Sequence, residues 1–579
     1  MAASPRMIAA EVRKAPWILS GILLLAFVLR FWAVEFGLPH LYHADEPVVV
    51  NHALAFGTGD FHPHFFNIPP LVSYLLFVVY GFYFLVGKAI GLFSSVNDLQ
   101  LLFFRDPSSF YLIARILFGV LLGTVSVLAL YRAVKTVLSP FRAIGAAGLF
   151  AVCFLHVRDS HYIYADIPLL GVMIAAMGAI LRGPEKEGGG KYDLGVGAWA
   201  GAAAAVKYNG IFILLPYLYL TFKGRPLARN IRGWLFCGIA AVAVFFLLNP
   251  YAGLDWRFFI QEITEESHAH RGGVDWLLHL RQSLAGGIGW PILILGALGI
   301  LRAFGSRSRA LEAISVFVLG YYVVIVFWGQ PHDRYVLPLI PFLAVLAAEA
   351  MGDIGDRVLK PLGRGILLAG LMGTAAFPNI VKSVKWNLLM SAEDVRTVAA
   401  KWIEANFPAG TKIALDGTFF MPRLRFSEAQ LLEKRQQATK DPHFSNTQIR
   451  KLDFLLAEER ARKRGYELYF LSDRSGASPF LYANPILPYD PEALAERGID
   501  YVILARLAPD ARGSLLEARL AEEYEKVREF NPYRTGRERP IMNSLTGGPF
   551  LWQDIRERDR NGQPILIYRR KSASSETPS

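Results

Sequence analysis

The sequence predicts a polytopic α-helical membrane protein that continues into a soluble α/β domain. Three observations predict it. In a chain that is 53% hydrophobic, the apolar residues fall in repeated long blocks as far as about residue 380. The short segments between blocks, at 132–142, 182–191, 223–232 and 302–309, carry much of the basic excess. From about Ser391 charge rises, the long apolar runs stop, and short β-rich segments alternate with helical ones. The predicted division is 1–390 for the membrane part, with its functional loops on the outer side, and 391–579 for an extracytoplasmic domain.

Each span follows from those charges. Arg6, Arg13 and Lys14 precede an apolar run from Trp17 to Gly37, with no small-residue cleavage site after it. That run is read as an anchor with its N-terminus cytoplasmic. Residues 69–93 are apolar enough to span. However, the next run, 110–131, must end in the basic segment YRAVKTVLSPFR on the cytoplasmic side. Parity therefore keeps 69–93 in the outer interface. The runs 143–157 and 167–181 flank the outer loop RDSHYIYAD. Asp193 to Phe222 lies between two cytoplasmic loops and reads as a hairpin of two short helices with Lys207-Tyr208-Asn209-Gly210 at its outer tip. The runs 233–249, 284–301, 311–328, 335–350 and 363–380 bring the total to about eleven spans, besides interfacial helices. The expected location is the cell (inner) membrane, multi-pass, with the C-terminal domain periplasmic.

Beyond residue 391, strands are expected at 412–417, 466–472, 500–505 and 564–570, and helices at 391–406, 447–464 and 509–529. A largely parallel sheet follows from that alternation, and the tail SASSETPS reads as disordered. The net charge of +12 is explained by topology rather than by a polyanionic partner, so no nucleic acid is expected. Cys153 and Cys237 both lie inside apolar runs, which excludes a disulfide framework and a cysteine metal site.

Polar residues gather on the outer face. After the first span, the stretch from His40 to Leu71 holds the acid pair Asp45-Glu46, the histidines His40, His43, His52, His62 and His64, and a Pro69-Pro70 turn. Carboxylates beside a bilayer are expensive to hold, so a functional role is the default there. Arg158, Asp159, His161, Tyr162, Asp166, Lys207 and Tyr208 follow, then Asn249, Glu262, Glu265, Glu266, His268, His270, Arg271, His332, Asp333, Arg334 and Tyr335. Arg115 falls about one turn inside its helix. Acids and cations at one membrane surface suit general-base activation of a hydroxyl and stabilisation of a phosphate leaving group. The structural alternatives are helix capping by Asp45, Glu46 and Asp166, snorkelling by Lys207 and interfacial anchoring by Arg334. Imidazole with carboxylate suits Zn²⁺ or Mn²⁺, but no HxxxH or HExxH spacing occurs in the histidine cluster. The histidines are read as loop residues, with no certain cofactor and a divalent metal left open.

These motifs together resemble the GT-C glycosyltransferases, particularly the protein O-mannosyltransferase and aminoarabinose-transferase branches. The acid pair after the first span, Pro69-Pro70-Leu71, the segment SHYIYADIPLL at 160–170, the Lys207-Tyr208 hairpin and the Arg334-Tyr335 step carry the resemblance, over roughly residues 17–350. It implies transfer of a sugar, with inversion, from a polyprenyl-phosphate carrier to a hydroxyl of a lipid, glycan or protein acceptor on the outer face. Asp45 would be the general base, Glu46 would orient the acceptor and Asp166 would support the same pocket. Arg115, Arg158, His161, Tyr162, Lys207, Tyr208, Arg334, Tyr335 and His64 would contact substrates. Two departures leave the acceptor class open. Ile68 stands where the family usually has His or Lys, and His161 where it tends to have Arg. The contact that those family residues make is either absent here or comes from a neighbour such as His64 or Arg158. A transporter or flippase of a lipid-linked or anionic substrate is the alternative from another class. It would need polar residues through the membrane depth and an inverted repeat. A membrane-anchored binding protein, with the C-terminal domain doing the work, is a third.

Overall fold

The computed structural model describes the chain except residues 1–4, 184–188, 270–274, 307, 329–331, 358–360, 417–419, 442–445, 473–483, 508–510, 539–549 and 572–579. The tail expected to be disordered, and the side chains of His268, His270 and Arg271, lie outside the described residues. Two compact units form. The first comprises Met1–Val34, Asp45–Ile90 and Ser109–Asn387; the second comprises Glu35–Ala44, Gly91–Ser108 and Leu388–Ser579.

The first unit is all helix. Among the described residues six helices are long and apolar enough to cross a membrane, or up to seven if one bent pair counts as a span. Shorter apolar helices at Pro16–Phe31, Pro140–Val152 and Asp166–Leu181 accompany them. Leu71–Ala89 is one of the six, so its interfacial placement rests on charge parity alone and stays a proposal. The hairpin expected between Asp193 and Phe222 is present as Gly189–Val206 and Leu214–Gly224, joined by the 3₁₀ turn Tyr208–Ile213 with Lys207 ahead of it.

Several helices are broken, and the breaks matter for the site. The run expected at 143–157 is two helices, Pro140–Val152 and Phe154–Asp159, parted at Cys153, whose ψ of 118° leaves the helical region. His279–Ile288 and Trp290–Gly305 meet at 111° across Gly289, whose φ of +79° suits glycine. A wide π turn occupies Arg115–Leu121. The loop expected after residue 249 contains two helices, Pro250–Leu254 and Trp256–Ala269. The acidic polar face of Trp256–Ala269 makes it read as loop, yet its spacing is helical.

Glycine sets the closest helix contact. A Cβ at Gly197 would come within 2.1 Å of the Cys237 carbonyl oxygen, and one at Gly201 within 2.3 Å of that of Ala241. The small-residue spacing on Gly189–Val206 therefore lets Leu227–Leu248 approach backbone to backbone.

In the second unit the described strands form one sheet in the order β3-β2-β1-β4-β6-β5. They are β1 Lys412–Asp416, β2 Glu467–Leu471, β3 Ile486–Leu487, β4 Tyr501–Ala505, β5 Tyr524–Phe530 and β6 Ile565–Arg570. The first four are parallel, with Ile413 opposite Leu468 and Tyr501, and β6 and β5 are antiparallel. Side chains alternate between faces with a period of two. Ile413, Leu415, Ile503 and Ile567 pack with Val395, Ile403 and Phe407 on one face; Ala414, Val502, Leu504 and Leu566 pack with Leu494 and Leu520 on the other. The helix expected at 509–529 is overturned in its second half. It ends at Glu523 and β5 follows. A bulge between Lys526 and Arg528 hides the strand alternation, and charges spaced four apart (Glu522 with Lys526) imitate a helix. As an edge strand, β5 keeps those charges outward. The segment 35–44 joins this unit through the Tyr42 hydroxyl, 2.7 Å from Thr397 Oγ1, and through the Arg396 guanidinium, 3.7 Å over the Tyr42 ring.

Replacing Gly201 by leucine forces the two helices apart. Overpacking of this kind costs about 1–3 kcal/mol or more, so Gly201→Leu should lower the unfolding temperature in detergent. Gly195→Ala, which meets nothing within 4 Å, should leave it unchanged. Equal behaviour of the two variants would refute the close contact.

Candidate active site

The two adjacent acids go to different places. Glu46 opens the helix Glu46–Ala55 and is fully buried. Its carboxylate accepts two hydrogen bonds from Arg115, from Nε at 2.8 Å and Nη2 at 2.6 Å, and a third from the Ile163 backbone N–H at 3.0 Å. Arg115 Nη1 donates to the Val34 carbonyl at 2.9 Å. Both side chains are 0% exposed. Arg115 therefore stands with Glu46 rather than beside Asp45, and neither is open to a ligand in this arrangement.

Asp45 is partly exposed and pairs with Arg334 through Nη1. It sits at the N-cap position of its helix but makes no side-chain capping bond. Arg334 belongs to the 3₁₀ turn Asp333–Leu339, where Pro338 disfavours a regular α-helix. Its guanidinium lies 4.7 Å over the ring of Tyr164. The ammonium of Lys207 stands 5.5 Å from the centre of the same ring and 5.7 Å from that of Tyr335. Lys207 in turn donates to Asp166 Oδ1 at 2.6 Å. One continuous group results: Asp45, Arg334, Tyr164, Lys207, Asp166, with Tyr335 beside it. Asp166 lies inside the first turn, Ala165 being the N-cap, so its carboxylate serves Lys207 rather than the helix end.

Burial pulls the Lys207 ammonium below its ordinary range, which Asp166 opposes, and burial pushes the Tyr164 phenol up. Among the described residues no acceptor reaches Arg334 Nε, although that atom is buried. A buried guanidinium N–H without a partner is a donor waiting for an anion or a water.

Arg158 stands one layer behind. It is 1% exposed, donates to Asp159 at 2.8 Å and to Asp333 Oδ2 at 2.5 Å, and so braces the residue before Arg334. Burial holds the Asp159 carboxyl up, to about 7, against the pull of Arg158. The remaining expected residues lie elsewhere. His161 is buried between the carbonyls of Trp32 and Val157, at 2.8 and 2.9 Å, and Tyr162 packs 6.4 Å from the Trp386 ring. The Tyr208 hydroxyl donates to the Phe66 carbonyl at 2.7 Å, and the exposed His64 faces Asp60 at 2.9 Å. Tyr208 and the loop before Pro69 form a clasp with Trp256–Ala269, in which Asn67 donates to Glu266 at 2.7 Å and Phe66 N–H to Glu262 at 3.4 Å.

Tyr164 escaped sequence reading, and the sequence places His332 on the outer face without a role. Tyr164, two residues before Asp166 in Tyr162-Ile163-Tyr164-Ala165-Asp166, lies under the two cations, whereas Tyr162, expected to contact substrate, packs against Trp386. His332, half-buried with its ring 5.3 Å from Tyr335, is held below the ordinary imidazole range by burial and by Arg334. Among the described residues no three His, Cys, Asp or Glu side chains converge as a metal site. What the group can do is hold an anion on Arg334 and Lys207 while a carboxylate stands within reach of it.

Residues 109–249 match the family described as dolichyl-phosphate-mannose-protein mannosyltransferase. That segment includes Arg115, Asp166 and Lys207 but neither Asp45 nor Arg334. Among the curated proteins none matches the sequence. In structure the chain is similar to the oligosaccharyltransferase of Archaeoglobus fulgidus in the apo form, with a TM-score of 0.51 at 11% identity over 96% of this chain and 88% of that one. It is also similar to ArnT from Cupriavidus metallidurans bound to undecaprenyl phosphate, with a TM-score of 0.46 at 14% identity over 97% and 99%. The chain thus has the fold of the GT-C superfamily, as its motifs implied, and over residues 109–249 it matches that superfamily's dolichyl-phosphate-mannose-protein mannosyltransferase family.

Proposed function

We propose that the protein moves a sugar from a polyprenyl-phosphate carrier to an acceptor hydroxyl at the outer membrane surface. The observation that carries this reading is the Asp45–Arg334–Tyr164–Lys207–Asp166 group, with a buried Arg334 Nε that has no partner among the described residues. The matched family's description, which names a polyprenyl-phosphate-linked sugar, supports the donor class.

In this reading the acceptor oxygen attacks the anomeric carbon as its proton passes to Asp45. The bond from that carbon to the phosphate oxygen breaks, and its electron pair leaves with the lipid phosphate. Attack opposite the leaving group inverts the centre. Arg334 and Lys207 take up the charge that grows on the phosphate, as fixed cations in a site of restricted solvent do. Asp166 keeps Lys207 charged against its burial. Glu46 holds the start of its helix through Arg115, so that Asp45 is presented at one fixed place.

Asp45→Asn keeps the shape and removes the base, so transfer from a polyprenyl-phosphate-linked sugar should fall about 10²- to 10⁴-fold. Folding should change little, because the Asp45–Arg334 pair is partly exposed. Glu46→Ala should lose stability and activity together. It leaves a buried guanidinium uncompensated, which costs about 3–5 kcal/mol, so its thermal unfolding should drop along with activity. Near-wild-type transfer by a folded Asp45→Asn protein would sink the assignment.

A second test addresses the phosphate. Arg334→Leu should weaken binding of undecaprenyl phosphate about tenfold or more, the effect of removing a charge-assisted hydrogen bond. Lys207→Met should act in the same direction. Unchanged binding in both would place the phosphate elsewhere.

A further inference from the structure

The break at Cys153 and the bend at Gly289 strand two backbone groups inside the first unit. The Phe154 N–H opens the helix Phe154–Asp159, and the Ile288 C=O closes His279–Ile288. Each lacks a helical partner at such an end. In an apolar interior neither can be left unpaired cheaply. Asn379, on Pro361–Ser391, serves both. Its carboxamide oxygen accepts from Phe154 N–H at 3.1 Å, and its Nδ2 donates to the Ile288 carbonyl at 2.7 Å. A carboxamide carries donor and acceptor on one rigid plane. Asn379 is 3% exposed, so the pairing excludes water.

The same face of that helix continues the support. Lys382 donates to the Gly286 carbonyl at 2.5 Å and stands 4.2 Å over the Phe154 ring. Trp386 packs 4.7 Å from the His161 ring, in the loop that leads to Tyr164 and Asp166. The two broken helices touch each other directly, since a Cβ on Gly287 would come within 2.9 Å of Leu155 Cβ. From Phe154 the short helix runs four residues to Arg158, which grips Asp333, the neighbour of Arg334.

We infer that Asn379, with Lys382 behind it, is a positioning residue for sugar transfer: by joining the two helix breaks it sets where Arg158 holds Asp333, and so where Arg334 meets Asp45 and the donor phosphate. This rests on the proposed reading of Arg334 as a phosphate ligand. Asn379 touches neither substrate nor Asp45, and it acts through Phe154–Asp159. Nothing in the sequence marks it beyond a lone asparagine after Pro378 in the last apolar run.

The test is a double-mutant cycle on the full chain in lipid nanodiscs, read as affinity for undecaprenyl phosphate. Asn379→Leu should weaken binding about threefold or more in the wild-type background, as coupled neighbours do. In the Arg334→Leu background it should add nothing, because its effect passes through Arg334. A merely structural role would loosen both backgrounds by the same factor, and that result would overturn the proposal. Should Asn379→Leu fail to insert, Asn379→Asp runs the same cycle. It keeps the acceptor for Phe154 and removes the donor to Ile288. If Arg334→Leu itself binds undecaprenyl phosphate as the wild type does, the phosphate assignment falls and this inference with it. If Arg334→Leu is impaired and Asn379→Leu is not, only the inference falls.

Discussion

The Glu46–Arg115 pair is the constraint on which the rest of the site depends. A carboxylate and a guanidinium, both without exposure, join the start of Glu46–Ala55 to an apolar helix, to the loop at Ile163 and to the turn at Val34 that follows the first helix. Desolvating two charges is costly. The arrangement is tolerable because the geometry is bidentate and the remaining oxygen and nitrogen also find partners. A pair of this kind adds little net stability, but it is strongly specific, since any displacement leaves a buried charge unmatched. Asp45, one residue earlier, inherits that precision.

Irregular backbone carries the side chains that matter. Arg115 opens a π turn, Lys207 sits between an α-helix and a 3₁₀ turn, Arg334 lies in a 3₁₀ turn, and Arg158 belongs to a short helix beyond a break. Regular helices aim their side chains at neighbours 3.6 residues apart around a cylinder, which suits packing more than convergence. Breaks redirect single side chains into a shared space, and each break frees backbone groups that must be satisfied within the protein. Asn379 and Lys382 on the last helix of the first unit meet that demand.

The sequence made the large divisions legible because they depend on composition over many residues. Apolar blocks, basic loops and alternating strand segments located the helical part, the hairpin tip at Lys207 and four of the strands. Motif spacing pointed to Asp45, Asp166, Lys207 and Arg334, which the structure brings together. Pairing was not legible. Arg115 and Arg334 are equally plausible partners for the acid pair from sequence, and only the tertiary packing assigns Arg115 to Glu46 and Arg334 to Asp45. Tyr164 was overlooked for the same reason. In Tyr162-Ile163-Tyr164 the two tyrosines are alike in sequence, and they go to opposite sides, one to the Trp386 core and one under the cations. The strand β5 was hidden by a bulge, which destroys the two-residue period that strand reading uses.

Charge balance links these features to the proposed reaction. Around the site each cation has a carboxylate: Arg115 with Glu46, Arg158 with Asp159 and Asp333, Lys207 with Asp166, and Arg334 with Asp45. The Arg115–Glu46 pair is fully enclosed by protein, and its carboxylate is not available for exchange. The Arg334–Asp45 pair, part-exposed like Lys207–Asp166, differs in that Arg334 Nε has no partner among the described residues. In the proposed reaction a lipid phosphate that reaches Arg334 would compete with Asp45 for its charge, so the cation that holds the resting carboxylate would also take up the leaving group. In that reading one arginine serves both a carboxylate and a phosphate, with Arg158 gripping its neighbour Asp333.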